Sequence, residues 1–203
     1  MIKIGIVTIV TVNYGNRLQN YALQEVLNKL GFVTFTFKRE IPPSGLKQEI
    51  KVLMQTIFQT KGAKFRRFDS YIQFADEIVT RDSYLNGIND RYDYFIVGSD
   101  QVWNPYYNFV AGKCDFLTFA RDNQKISYAA SFGISEIPSG RKKEYAMNLK
   151  TFKAISVREK QGTEIVEELV GRKPIVVLDP TLLLNENEWE KVEKRPSCCP
   201  KKK

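Results

Sequence analysis

The strongest constraint on this chain is a series of short, nearly unbroken apolar runs, each closed by small or polar residues. They fall at residues 2–10, 94–97, 125–130, 152–157 and 174–178. A strand that faces water on one side alternates apolar with polar residues. A near-continuous run suits a strand covered on both faces, as in a parallel sheet flanked by helices. Helical spacing appears between the runs. Leu23, Val26, Leu27 and Leu30 recur at i, i+3, i+4 and i+7, and Gly31 is placed to stop that helix. Residues 32–37 alternate Phe with Val or Thr and read as a further strand. Residues 139–150 and 158–170 read as helices, the second stopped by Gly171. Strand, loop, helix, strand is the unit of an α/β fold. The predicted architecture is a Rossmann-like parallel sheet of about six strands with helices on both faces.

Residues 46–78 read as helical, with a break near Gly62. The later part carries Lys64, Phe65, Arg66, Arg67, Phe68, Tyr71 and Phe74. A basic, aromatic helix can serve a polyanion. The reading favoured here is an amphipathic helix with its aromatics in the core and its cations in water.

Charge gives a similar answer. The chain has 203 residues and a formal net charge of +8. Residues 190–203 hold six cations and two anions, so half of that excess lies in the tail. The remaining body does not require a nucleic-acid partner, although it can hold a local anion site. Histidine is absent, which removes the commonest general base and metal ligand. The three cysteines, Cys114, Cys198 and Cys199, fit neither a zinc site nor a disulfide framework. No stretch approaches the roughly 18–20 apolar residues that a transmembrane helix needs. The N-terminus lacks the regions of a signal peptide, and a cytoplasmic location is expected.

In an open parallel sheet, ligands bind beyond the carboxyl ends of the strands. Asn13, Tyr14, Gly15 and Asn16 follow the first run, with Gln19 on the next helix. Small residues before a helix N-terminus let amide groups reach an anion, but the same residues also make an ordinary capped turn. Gly98, Ser99, Asp100, Gln101 and Trp103 follow the 94–97 run. Gly98 permits close backbone approach, Asp100 is a candidate acid or base, and Trp103 is expected to stack on a sugar ring unless it is buried. Ser131 follows the next run. Arg158 and Glu159 follow the 152–157 run, and a guanidinium there suits a carboxylate or phosphate as well as a structural ion pair. Asp179, Pro180 and Thr181 close the last.

At these positions the sequence resembles the polysaccharide pyruvyl transferase family. The resemblance rests on Asn13-Tyr14-Gly15-Asn16 with Leu18-Gln19 and Ala22-Leu23-Gln24, and on Ile96-Val97-Gly98-Ser99-Asp100-Gln101-Val102-Trp103-Asn104. It continues through Ser127 to Gly133, Ser156-Val157-Arg158-Glu159, and Val177-Leu178-Asp179-Pro180-Thr181-Leu182-Leu183. Five segments in the family's order span residues 2 to about 184.

The resemblance implies two Rossmann-like halves facing a cleft, as in GT-B glycosyltransferases, with residues 1–184 as the N-terminal half. Residues 185–203 then read as a truncated start of the following segment, ending in a basic, disordered tail. It implies transfer of a pyruvyl group from phosphoenolpyruvate to two hydroxyls of a saccharide or lipid-linked oligosaccharide, without cofactor or metal. Asp100 and Arg158 would be catalytic, with Arg158 on the donor's charge. Asn13, Tyr14, Gly15, Asn16, Gln19, Gly98, Ser99, Gln101, Trp103, Ser131 and Glu159 would line the substrate site. A truncated chain is expected to have little activity alone, or to need a separate chain that supplies the other half. A sugar-nucleotide glycosyltransferase fragment and a non-catalytic saccharide-binding domain are the alternatives.

Overall fold

The structure is a computed structural model that describes residues 1–10, 13–40, 65, 67–80, 87–106 and 113–194. Seven parallel strands form one sheet among these residues: β1 (Lys3–Val7), β2 (Val33–Glu40), β3 (Phe74–Thr80), β4 (Tyr94–Val97), β5 (Lys125–Ala130), β6 (Ala154–Val157) and β7 (Ile175–Val176). Their spatial order is β3-β2-β1-β4-β5-β6-β7. The chain winds outward from β1 in one direction, then returns to the β1 edge and winds outward in the other. That reversal places a crevice between the carboxyl ends of β1 and β4, the position where open α/β sheets take ligands.

The described helices are α1 (Tyr14–Lys29), α2 (Ile88–Arg91), α3 (Ser139–Lys150), α4 (Lys160–Val170) and α5 (Glu186–Glu190). Leu23 and Leu27 of α1 pack on Ile4, Ile6 and Ile96 on one face of the sheet. Tyr145 and Leu149 of α3, with Ile165 and Val166 of α4, join the larger core on the other face. Layers on both faces explain why β1, β4 and β5 are so continuously apolar. Gly5 in β1 leaves room for the rings of Phe37 and Phe95, since a β-carbon there would fall 2.4 Å from the Phe37 ring. Gly31 and Gly171 end α1 and α4 with φ of 87° and 68°, in the left-handed region that glycine enters most easily.

Two expectations change. Residues 74–80 are a strand, β3, rather than the end of a helix. Ala75 and Val79 face the core while Ile78 is exposed, the period-two pattern of an edge strand. Asp76 and Glu77 have low strand propensity, and tertiary pairing with β2 overrides it. The part of that expectation at residues 46–64, including Lys64, and Arg66 lie outside the described residues. The described part, residues 65 and 67–69, is a helical turn. Phe65 is buried, Phe68 is half-buried against Tyr21, and Arg67 is exposed, so aromatics inside and cations outside holds there. At the opposite edge, β7 comprises only two residues, and Ile175 and Val176 are exposed rather than covered.

Packing is continuous across residue 184. Asn185 and Glu188 form a reciprocal capping box at the start of α5. Trp189 lies 5.8 Å from the Tyr21 ring, and Glu188 pairs with Lys29 at the end of α1. Residues 195–203 lie outside the described residues. No helix among the described residues is long and apolar enough to cross a membrane.

Candidate functional site at the strand mouths

Four strand ends are joined by one buried hydrogen-bond network centred on Gln19. Gln19 lies one turn into α1 and is 3% exposed, so its amide must find partners inside the protein. Its Nε2 donates to Thr8 Oγ1 and to the Asn16 carbonyl, both at 2.8 Å. Its Oε1 accepts from Ser99 N and Ser99 Oγ, both at 3.0 Å. All four places on the amide are therefore filled. This one side chain ties the end of β1 to the end of β4 across the crevice.

Ser99 is fully buried and extends the network. Its Oγ also lies 3.2 Å from Asp179 Oδ2, beyond β7. Its carbonyl accepts from Arg158 Nη1 at 3.0 Å, and the same Nη1 donates to Asp179 Oδ2 at 3.2 Å. Arg158 Nε donates to Glu159 Oε1 at 2.8 Å. Burial works against the charge on Arg158, but hydrogen bonds and charge from Glu159, then Asp179, outweigh it and hold the guanidinium above its ordinary pKa. Asp179 Oδ1 accepts from Thr181 N at 3.0 Å and Thr181 Oγ1 at 2.7 Å, capping the 3-10 turn Pro180–Leu182. The Tyr128 hydroxyl is also raised, by burial and then by the charge of Asp179.

Asp100 stands next to this network with room to act. Its Oδ1 accepts from Gln101 N at 2.7 Å, and its Oδ2 accepts from Asn16 Nδ2. A carboxylate has about four acceptor places. Asp100 thus keeps capacity for a substrate hydroxyl, whereas the oxygens of Asp179 face three protein donors and share the Ser99 hydroxyl proton with Gln19. The Asp100 carbonyl accepts from Ser131 N, and the Ser131 carbonyl accepts from Trp103 N, both at 3.1 Å. These bonds lock the β4 and β5 loops together. Gln101 packs against Gly133, where a β-carbon would fall 2.5 Å from its amide.

The structure therefore brings Asn16, Gln19, Ser99, Asp100, Arg158 and Glu159 into one connected group, with Gly98, Gln101 and Ser131 in its supporting loops. Asn13, Tyr14 and Gly15 form the exposed start of α1. Asn13 Oδ1 accepts from Gly15 N at 2.8 Å, so Asn13 acts as a helix cap. The Tyr14 ring lies 4.6 Å from the Phe65 ring.

Trp103 is a correction. It is fully buried, donates from Nε1 to the Asp115 carbonyl at 3.0 Å, and lies 11° from parallel with Phe116. Its ring fills the core and does not face a ligand. Among the described residues of this loop, Tyr106 is an exposed ring, 69% exposed, beside a hollow of about 490 Å³ also lined by residues 134–139.

Two further groups lie outside the expected set. Asp179 was visible as the polar close of the last run, but its bonds to Ser99 and Arg158 depend on strand order. Arg17 forms a two-pronged pair with Asp69, at 2.7 and 3.3 Å, and lies 4.7 Å from the centre of the Phe65 ring. This pairing fastens the 65–69 turn against the start of α1.

No curated protein and no solved structure matches the chain. The profile of the polysaccharide pyruvyl transferase family matches residues 13–203, which takes in α1, every strand mouth after β1, and the tail. The match covers nearly the whole sequence, and the chain belongs to the polysaccharide pyruvyl transferase family.

Proposed function

We propose that this chain contributes to transfer of a pyruvyl group from phosphoenolpyruvate to a saccharide, with its strand mouths as one wall of the reaction site. Net chemistry fixes the groups required. Two sugar hydroxyls add to C2 of the enolpyruvyl unit, the C2–O bond to phosphate breaks, and C3 becomes a methyl group. One hydroxyl proton goes to C3 and the other leaves with inorganic phosphate. The product is a pyruvate ketal. Such a reaction needs a base beside a hydroxyl and a cation beside the donor.

Asp100 is the candidate base, because each of its oxygens accepts a single described hydrogen bond. Arg158 is the candidate cation. Its Nη2 donates to no described residue, so two N–H groups remain for a carboxylate or phosphate. That unfilled nitrogen, on a guanidinium held by the carbonyl of Ser99, the residue before Asp100, is the observation that carries the reading. Tyr106, exposed in the loop after β4, is the candidate ring for a saccharide, since sugars present apolar faces that aromatic rings cover.

Thermal unfolding with added phosphoenolpyruvate tests the donor side. A ligand that binds only the folded state raises its stability by RT ln(1 + [L]/Kd). The melting point should rise with the donor, and Arg158→Ala should abolish the rise. Asp100→Asn should keep it, because a base is not needed for donor binding. A full shift in the Arg158 variant rejects the donor assignment.

A further inference from the structure

We propose that Arg158 is served by two carboxylates with opposite roles: Asp179 is a fixed positioning residue that aims the guanidinium, and Glu159 is a place-holder that an incoming anion displaces. The inference rests on Arg158 meeting the donor's charge.

The two carboxylates differ in how they are held. Glu159 makes one described hydrogen bond to Arg158, through Nε, and its side chain is 36% exposed. It sits at the N-cap of α4 without capping the helix through its side chain, so nothing there fixes it. The Asp179 side chain is 20% exposed and anchored. Thr181 holds Oδ1 through its amide and hydroxyl, which leaves Oδ2 pointing at Ser99 and Arg158.

A guanidinium offers two edges for two-pronged binding, Nε with Nη2 and Nη1 with Nη2. Each edge has one member occupied here. Nη1 is bound twice, to the Ser99 carbonyl and Asp179, whereas Nε is bound once, to the partly exposed Glu159. The easier edge to clear is Nε with Nη2. An anion arriving there replaces Glu159, while Asp179 and Ser99 keep the far side of the ion in place. Hollow space adjoins Glu159: about 230 Å³ is lined by Gly133, Ile134, Glu159 and Gln161.

The two amide substitutions then change anion affinity in opposite directions. Glu159→Gln removes a competitor. Asp179→Asn keeps an oxygen for Thr181 but turns an NH2 group toward Arg158 and Ser99, where an acceptor stood. If the carboxylates acted by charge alone, both changes would strengthen anion binding. Phosphoenolpyruvate and inorganic phosphate are titrated calorimetrically into the full chain and each variant. Glu159→Gln should tighten binding roughly two- to fivefold, the scale of a partly exposed ion pair. Asp179→Asn should weaken it about tenfold, the scale of a charge-assisted bond lost. Tighter binding by both variants overturns the proposal.

A second arm needs no ligand. In side-chain 15N spectra, assigned with Arg158→Lys, a guanidinium held on one side shows separate Nη1 and Nη2 resonances. Separation should persist in Glu159→Gln and vanish in Asp179→Asn. If neither anion binds any protein, the donor assignment of Arg158 fails and the spectra alone decide: loss confined to Asp179→Asn upholds the positioning role, and identical spectra overturn it. Should Asp179→Asn fail to fold, Thr181→Val loosens the same carboxylate, with the same sign expected in both arms.

Discussion

A β-carbon on Gly98 would stand 2.0 Å from the carbonyl oxygen of Tyr128. Gly98 also has φ of 132°, a conformation that side chains rarely adopt. The end of β4 can lie this close to β5 only with glycine at the turn. Ser99 and Asp100, the next two residues, are aimed by that turn.

Gly98→Ala should therefore damage stability and site together. Backbone strain and the contact with Tyr128 each cost about 1–3 kcal/mol, so a loss of roughly 2–6 kcal/mol is expected. Urea unfolding measures it. An alanine variant within 0.5 kcal/mol of wild type would mean that the β4–β5 contact is looser than described.

Trp103 yields a prediction from its burial. Trp103→Ala should destabilise the domain by about 3–5 kcal/mol, as expected for a large core side chain. Trp103→Phe should lose less, and any donor-induced thermal shift should survive it. In a Trp189→Phe background, the emission of Trp103 should be blue-shifted and resistant to iodide. Red-shifted, iodide-quenched emission would return this ring to the substrate side.

The contrast between Trp103 and Asp100 explains what the sequence could show. Asp100 was legible because a polar residue just beyond a buried strand must lie at the sheet's carboxyl edge, whatever the rest of the chain does. Arg158 and Asn16 were legible for the same reason. The fate of Trp103 depends on Asp115 and Phe116, brought back by a later segment to meet its indole. No local pattern separates a ring that stacks on a sugar from one that stacks on Phe116. The strand β3 was hidden because an edge strand has one solvated side, and Asp76-Glu77 continues a helix-like composition. The link from Asp179 to Arg158 requires β7 to lie beside β6, and strand order is not a property of either segment alone.

Alkaline pH should weaken the fold through its buried phenols. Burial, then the charge of Glu77, pushes Tyr92 up to about 12, and burial raises Tyr145 further. An unfolded tyrosine ionises near pH 10. A phenol with a raised folded-state pKa stabilises the protein fully below about pH 10, and that contribution is lost as pH climbs toward 12. Urea midpoints should stay level from pH 8 to 9.5 and fall steeply above 10. Tyr92→Phe should flatten part of that fall, and an unchanged slope would exclude Tyr92 as a contributor.

Gln19 offers the sharpest separation between a packed residue and a wired one. Gln19→Leu keeps the volume but removes the acceptor for Ser99 N, which is buried. An orphaned buried donor costs about 1–3 kcal/mol. The Ser99 hydroxyl can still turn to Asp179, so the loss should lie within that range rather than doubling it. Gln19→Glu restores the acceptor but, when ionised, faces the Thr8 hydroxyl and the Asn16 carbonyl with no proton to donate. Burial and the carbonyl favour its protonated form, so its folded-state pKa should rise above the unfolded value of about 4.3. Its stability should therefore be greatest near pH 4 and decline, relative to wild type, as pH rises to 8. A Glu variant that tracks wild type across that range would place Gln19 in water and break the link proposed between the β1 and β4 mouths.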